Sequence, residues 1–175
     1  MKKWVLFLFL RAGLMGSNIT FEPANLDQAE FLTELGLRAN AVYNYRNVSD
    51  EEARFVFLVQ EQHYKEGIIR IMKDDGEFIG FYGLAHWKEK DGKEVNILSH
   101  FFLEPKFIGK GYGKILFLEA IRAAKEELKW EAFQWESDPH AAWFYQKMGA
   151  KRIGENPCPL NPQYKAPVFV YTLEP

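Results

Sequence analysis

His100-Phe-Phe-Leu-Glu-Pro-Lys-Phe-Ile-Gly-Lys-Gly-Tyr-Gly-Lys114 joins an apolar strand to a turn with glycine at positions 109, 111 and 113. A helical run from Ile115 to Leu128 begins where the glycines end, with Phe117, Ile121, Ala124 and Leu128 on one face. Glycine lets successive backbone N–H groups converge without a Cβ in the way. The first turn of a helix adds unpaired donors and a partial positive charge. The stretch therefore reads as a seat for a phosphate or diphosphate.

Upstream of it, Ile68–Met72, Glu77–Trp87 and Val95–Leu103 read as strands, separated by the turn signals Asp74-Asp-Gly76 and Asp91-Gly92. Three strands joined in this way predict an antiparallel meander. Earlier still, Ile19–Pro23 alternates as a first strand, and Asn25-Leu-Asp27 caps a helix reaching Gly36 or Asn40. Residues 44–47 read as a loop. Ser49-Asp-Glu-Glu52 starts a second helix, predicted to run to about His63. Downstream, Ala132–Glu136 is a short strand, and Asp138-Pro-His-Ala141 begins a helix that Gly149 closes. Lys151–Gly154 and Val168–Leu173 read as the last strands. The segment between them holds Pro157, Pro159, Pro162 and Pro167, and is expected to be a loop. The fold class is thus α/β in the α+β sense, one domain with a mixed, largely antiparallel central sheet flanked by helices.

A chain of 175 residues suits one domain with a proper core. Its 47% hydrophobic and 26% charged content is that of an ordinary globular protein. A net charge of −2, with no basic run, argues against a nucleic-acid partner. The single cysteine, Cys158, excludes an intramolecular disulfide framework, and a cytoplasmic location is expected. Met1-Lys-Lys3 and Trp4–Leu10 have the charged end and apolar run of an export signal. Arg11 interrupts that run after seven residues, and it is too short to span a bilayer, so no membrane partner is expected. Residues 1–14 are read as a peripheral extension, and residues 15–175 as the domain. His63, His86 and His140 show no metal-ligand spacing with each other or with Cys158, so no metal is expected.

Three ligands compete for the glycine turn. A nucleotide-binding P-loop requires Gly where Ile108 stands, and Ser or Thr where Ile115 follows Lys114. A dinucleotide fingerprint requires a third glycine where Lys114 or Leu116 stands, and the preceding meander argues against a parallel βαβ unit. The third candidate fits both ends of the region. The strand, the glycine turn and the helix resemble the acyl-CoA-binding motif of the GNAT superfamily of N-acetyltransferases. Asp138-Pro-His-Ala-Ala-Trp-Phe-Tyr145, ending in Gly149-Ala150, is similar to that family's second block, which begins with Asn and reaches a Tyr. The resemblance covers roughly Ile19 to Leu173 and is strongest from Val95 to Gly154. Two positions depart from it: Ile108 replaces the usual Gln or Arg, and Asp138 replaces the usual Asn.

The resemblance implies direct attack of a substrate amine on acetyl-CoA, without a covalent acyl-enzyme. It places the diphosphate on the N–H groups of Ile108, Gly109, Lys110, Gly111, Tyr112, Gly113 and Lys114, foremost those of the three glycines. It pairs the pantetheine arm with Phe101, Phe102 and Leu103 like an added strand, and puts Asp138 near the thioester end. Tyr145 takes the place of the tyrosine that protonates the departing thiolate, and a phenol, with a pKa of about 10, holds that proton at neutral pH. For the base, His100 is the first candidate, with Ser99, Glu104 or a water relay as the alternatives. Tyr43, Tyr45 and Asp50-Glu-Glu52 lie in the region that usually forms the acceptor site. The expected acceptor is a primary amine of a small molecule or peptide, and a homodimer is left open. The rivals are an acyl-CoA sensor of the same fold without turnover, and a nucleotide-binding protein.

Overall fold

The computed structural model describes residues 18–88 and 91–173. The reading of residues 1–14 as an extension lies outside them. β1 (Ile19–Pro23) leads into three helices: α1 (Ala29–Ala41), α2 (Asp50–Phe57) and α3 (Glu61–Lys65). The meander follows as β2 (Gly67–Asp74), β3 (Glu77–Lys88) and β4 (Glu94–Leu103). Next come α4 (Tyr112–Arg122), β5 (Ala132–Glu136), α5 (Ala142–Lys147), β6 (Lys151–Pro157) and β7 (Lys165–Thr172). The strands form one seven-stranded sheet in the order β1-β2-β3-β4-β5-β7-β6. Every pairing is antiparallel except that of β4 with β5. The α+β reading is borne out.

Strand alternation sends side chains to two cores. Ile69, Ile71 and Phe81 pack with Leu32, Leu35 and Val59 under α1 and the α2–α3 segment. Met72, Ile79, Tyr82 and Leu84 pack on the other face with Leu116, Phe117 and Ala120 of α4. Gly67 and Gly80 lie where a Cβ would strike the neighbouring strand's backbone, at 1.8 Å from the Leu84 carbonyl and 2.2 Å from that of Phe102.

Two expectations are corrected. The helix predicted from Ser49 to His63 breaks at Leu58, whose ψ of 119° is extended. The break has a polar cause: the Val59 N–H donates to Thr33 Oγ1 at 3.0 Å, and His63 Nδ1 accepts from the Gln60 N–H at 3.0 Å. These bonds draw Val59 onto the sheet and start α3 afresh. The proline-rich segment is only partly a loop, since β6 reaches Pro157 and β7 begins at Lys165. Proline is tolerated in both places because of position. β6 is an edge strand, and Pro167 lies just past the last β5–β7 register pair, Glu136 with Val168. Its carbonyl still accepts the Ser137 N–H at 2.8 Å.

Candidate active site

β4 and β5 part company almost at once. Their one register pair is Ile97 with Gln134; beyond it β4 continues to Leu103 while β5 ends at Glu136. The gap opens into a cleft of about 760 Å³. Its floor is the stretch Leu98–Leu103, and its far walls come from the glycine turn, from α5 and from the end of α1.

β4 also carries a bulge. Gly83 pairs with His100 and Leu84 with Leu98, so Ser99 has no counterpart in β3. A bulge bends the strand and turns successive side chains out of alternation. Leu98 therefore packs in the α4 core, while His100 faces His63 and Phe81 on the other side of the sheet. Gly83 makes room for it, since a Cβ there would come within 2.6 Å of Ser99 Oγ. The sequence concealed this bulge because Val95–Leu103 does not alternate strictly, so no period is visibly interrupted.

At the glycine turn, Gly109 (φ 79°) and Gly111 (φ 92°) are left-handed, a conformation that costs other residues about 1–2 kcal/mol. α4 starts at Tyr112, three residues earlier than the apolar pattern predicts. The N–H groups of Ile108, Lys110 and Lys114 close local turns, onto the carbonyls of Pro105, Phe107 and Gly111. Those of Gly109, Gly111, Tyr112 and Gly113 bond no backbone carbonyl among the described residues and lie at or just before the first turn of α4. Of the seven N–H groups in the predicted row, four thus have no backbone partner among the described residues. Ile108, Gly109, Gly111, Gly113 and Lys114 line the cleft; Lys110 and Tyr112 do not. Lys110 lies over the Phe107 ring, and the Tyr112 hydroxyl donates to Asp74 Oδ2 at 2.6 Å, tying the turn to the β2–β3 hairpin.

Tyr145, only 6% exposed, reaches the cleft from α5 through a cage of aromatic rings. Trp135 and Phe144 lie 4.9 and 5.1 Å away between centroids, with Phe117, Phe169 and Phe101 just beyond. Burial pushes its hydroxyl well above the ordinary tyrosine range, and the neighbouring Tyr43 and Asp138 push it further. The hydroxyl therefore stays protonated at neutral pH.

Asp138 is bound on both oxygens. Oδ1 accepts the His140 N–H at 2.8 Å and caps the start of the α5 segment. Oδ2 accepts from the Tyr45 hydroxyl and from Asn40 Nδ2, both at 2.7 Å. The latter two residues stand at the end of α1 and just after it, so the carboxylate ties that region to the helix bearing Tyr145. Asn25-type capping was legible from sequence; this long-range bond was not, because Asn40 and Tyr45 carry no mark that separates them from ordinary loop polars.

The other base candidates fall elsewhere. His100 lines the cleft but is 4% exposed, and burial, with His63 beside it, lowers its pKa to about 3. Its ring stays neutral and weakly basic at neutral pH, engaged with Ser99 Oγ at 3.1 Å. Glu104 pairs with Arg38 at 2.6 Å, away from the cleft lining. Of the expected acceptor region, Tyr43 and Tyr45 line the cleft, whereas Asp50 and Glu51 border a separate depression and Glu52 caps α2 through Ser49. Among the described residues no group of three His, Cys, Asp or Glu side chains could hold a metal, and no helix is long and apolar enough to cross a membrane.

The acetyltransferase (GNAT) family profile matches residues 30–150, which include the glycine turn and Tyr145. This chain belongs to the GNAT acetyltransferase family. No curated protein matches its sequence. Solved GNAT structures share the fold at low identity. An acetyltransferase from Staphylococcus aureus is 15% identical, with a TM-score of 0.67 over 90% of this chain and 100% of that one. A histone acetyltransferase HPA2-related protein from Corynebacterium glutamicum is 17% identical, with a TM-score of 0.65 over 90% and 97%. The PaiA N-acetyltransferase of Thermoplasma acidophilum, solved in complex with coenzyme A, is 18% identical, with a TM-score of 0.62 over 89% and 99%. In this GNAT chain the splayed strands, the glycine turn and α5 converge on one cleft.

Proposed function

We propose that this GNAT protein moves an acetyl group from acetyl-CoA to a primary amine by direct attack. One observation carries the reading: Gly109, Gly111 and Gly113, whose N–H groups bond no backbone carbonyl among the described residues, and Tyr145 line the same cleft, beside a stretch of β4 left unpaired on its β5 side. The N–H groups of Gly109, Gly111, Tyr112 and Gly113, with Lys114 next to them, suit the diphosphate. Phe101, Phe102 and Leu103 offer backbone groups to the amides of the pantetheine arm, in the manner of strand addition.

At the thioester, the amine nitrogen bonds to the carbonyl carbon and the C–S bond breaks. Tyr145 gives its phenolic proton to the leaving sulfur and regains one from solvent. The raised pKa keeps the hydroxyl protonated at neutral pH, as a donor must be, while making it a weaker acid toward the sulfur. A backbone N–H of Phe101, Phe102 or Leu103 would receive the negative charge growing on the carbonyl oxygen. The surplus proton of the amine leaves toward Glu136 and Asp138, the carboxylates that line the cleft. His100, neutral and buried, supports the bulge instead of taking that proton.

Acetyl-CoA with a panel of primary amines, assayed by thiol release, tests the proposal. Amine-dependent thiol is expected. Tight acetyl-CoA binding with no amine-dependent release would instead favour a sensor of the same fold.

A further inference from the structure

The charges around the cleft are segregated. Its cationic lining residues are Lys114, in the first turn of α4, and Lys147, in the last turn of α5. Its acidic ones are Glu136 and Asp138, at the end of β5 and the start of the α5 segment. Around Asp138 stands a group of rings. Tyr43 stacks on His140 at 5.2 Å and 9°, Tyr45 lies 4.9 Å from His140, and Tyr164 lies 5.1 Å from Tyr45. Val56, Phe57, Leu160 and Ala166 supply an apolar wall.

Two acceptor sites in this region remain open. A carboxylate offers about four lone-pair positions. Tyr45, Asn40 and His140 occupy three on Asp138. Asn40 is 4% exposed, and its amide orientation is fixed, because only the nitrogen can donate to a carboxylate. Its Oδ1 is left buried without a partner, a state that costs free energy until a donor arrives. An N–H from a ligand, direct or through one water, is the donor that fits.

Granted the acetyl-transfer reading, we propose that the acceptor is a small monoamine whose ammonium is its only charge and whose body is apolar or aromatic. Asp138 and the Asn40 amide oxygen receive the ammonium, and Tyr43 and Tyr45, which line the cleft, add cation–π attraction. Among the described residues no arginine lines the cleft, and its lysines belong to the glycine-turn and α5 ends. A carboxylate on the acceptor would therefore meet Asp138 and Glu136 without a counter-charge. A second ammonium carried on the far end of the body would lie against Val56, Phe57, Leu160 and Ala166, a wall that offers it no carboxylate.

Matched pairs test this. 2-Phenylethylamine and phenylalanine differ by one carboxylate; butylamine and 1,4-diaminobutane differ by one amine. The expected kcat/KM is at least tenfold higher for the first member of each pair. Tyr43→Leu, at a half-exposed position that should leave folding intact, is expected to raise KM for 2-phenylethylamine several-fold with an unchanged acetyl-CoA dissociation constant. Turnover with equal or reversed preference within the pairs, or an unmoved KM in Tyr43→Leu, overturns the acceptor assignment and leaves acetyl transfer standing. If no amine in the panel releases thiol although acetyl-CoA binds by calorimetry, the transfer reading falls, and this assignment with it.

Discussion

Tyr45 donates a 2.7 Å hydrogen bond to Asp138 across 93 residues of sequence, linking the segment after α1 to the helix that carries Tyr145. The donor faces a full charge, which makes such bonds roughly twice as strong as neutral ones. The bond also draws together the two halves of the cleft, the acceptor wall and the acid. A double-mutant cycle of Tyr45→Phe and Asp138→Asn isolates it, because asparagine still caps the α5 segment. Urea unfolding of the four proteins is expected to give a coupling of about 1–3 kcal/mol. Additive effects would show that the two side chains meet without depending on each other.

Tyr145→Phe removes only the hydroxyl from a ring held by aromatic neighbours. Turnover is expected to fall about 100-fold, at the lower end of what a positioned acid contributes. The acetyl-CoA dissociation constant should stay within about twofold, measured by calorimetry. Unchanged turnover would take Tyr145 out of the chemistry.

Gly111→Val acts by two routes. The φ of 92° imposes about 1–2 kcal/mol of strain on an L side chain. Apart from its neighbours in the chain, no atom of the described residues lies within 4 Å of the new Cβ, which leaves a ligand as what it would obstruct. Acetyl-CoA binding is expected to weaken about tenfold or more, equivalent to at least 1.4 kcal/mol. Thermal unfolding without ligand separates the strain from the lost contact.

His100 makes stability depend on pH. Its folded pKa, lowered to about 3 by burial and by His63, lies below the ordinary value of 6.5. The unfolded chain therefore binds the proton first. This share of stability is complete above pH 6.5 and is lost as the pH falls toward 3, at up to about 1.4 kcal/mol per pH unit. Burial lowers the His63 pKa as well, so its contribution has the same sign. Urea midpoints between pH 7 and 4.5 should fall more steeply for the parent chain than for His100→Asn. Equal slopes would contradict a buried neutral imidazole.

Local signals foretold much of this architecture. Asp74-Asp-Gly76 turned the β2–β3 hairpin because Gly76, at φ 82°, takes the conformation that other residues resist. Ser49 and Glu52 cap α2 reciprocally, as their three-residue spacing suggests. The break at Leu58 was hidden, since Thr33 and His63, which cause it, come from separate elements. The same limit applied to His100: its sequence neighbours do not reveal that a bulge at Ser99 turns it away from the α4 core.

What the chain's own order of residues determined was the set of conformations open to each segment: glycines at 109 and 111 free to turn left-handed, an apolar face for α4, a capped start before Tyr145. These are short-range properties of φ, ψ and side-chain periodicity. Only the tertiary structure decided which polar groups meet. The pairing of Asp138 with Asn40 and Tyr45, the parting of β4 from β5, and the loss of basicity at His100 arise from burial and distance between remote segments. Those quantities exist once the sheet has closed its two cores and excluded water.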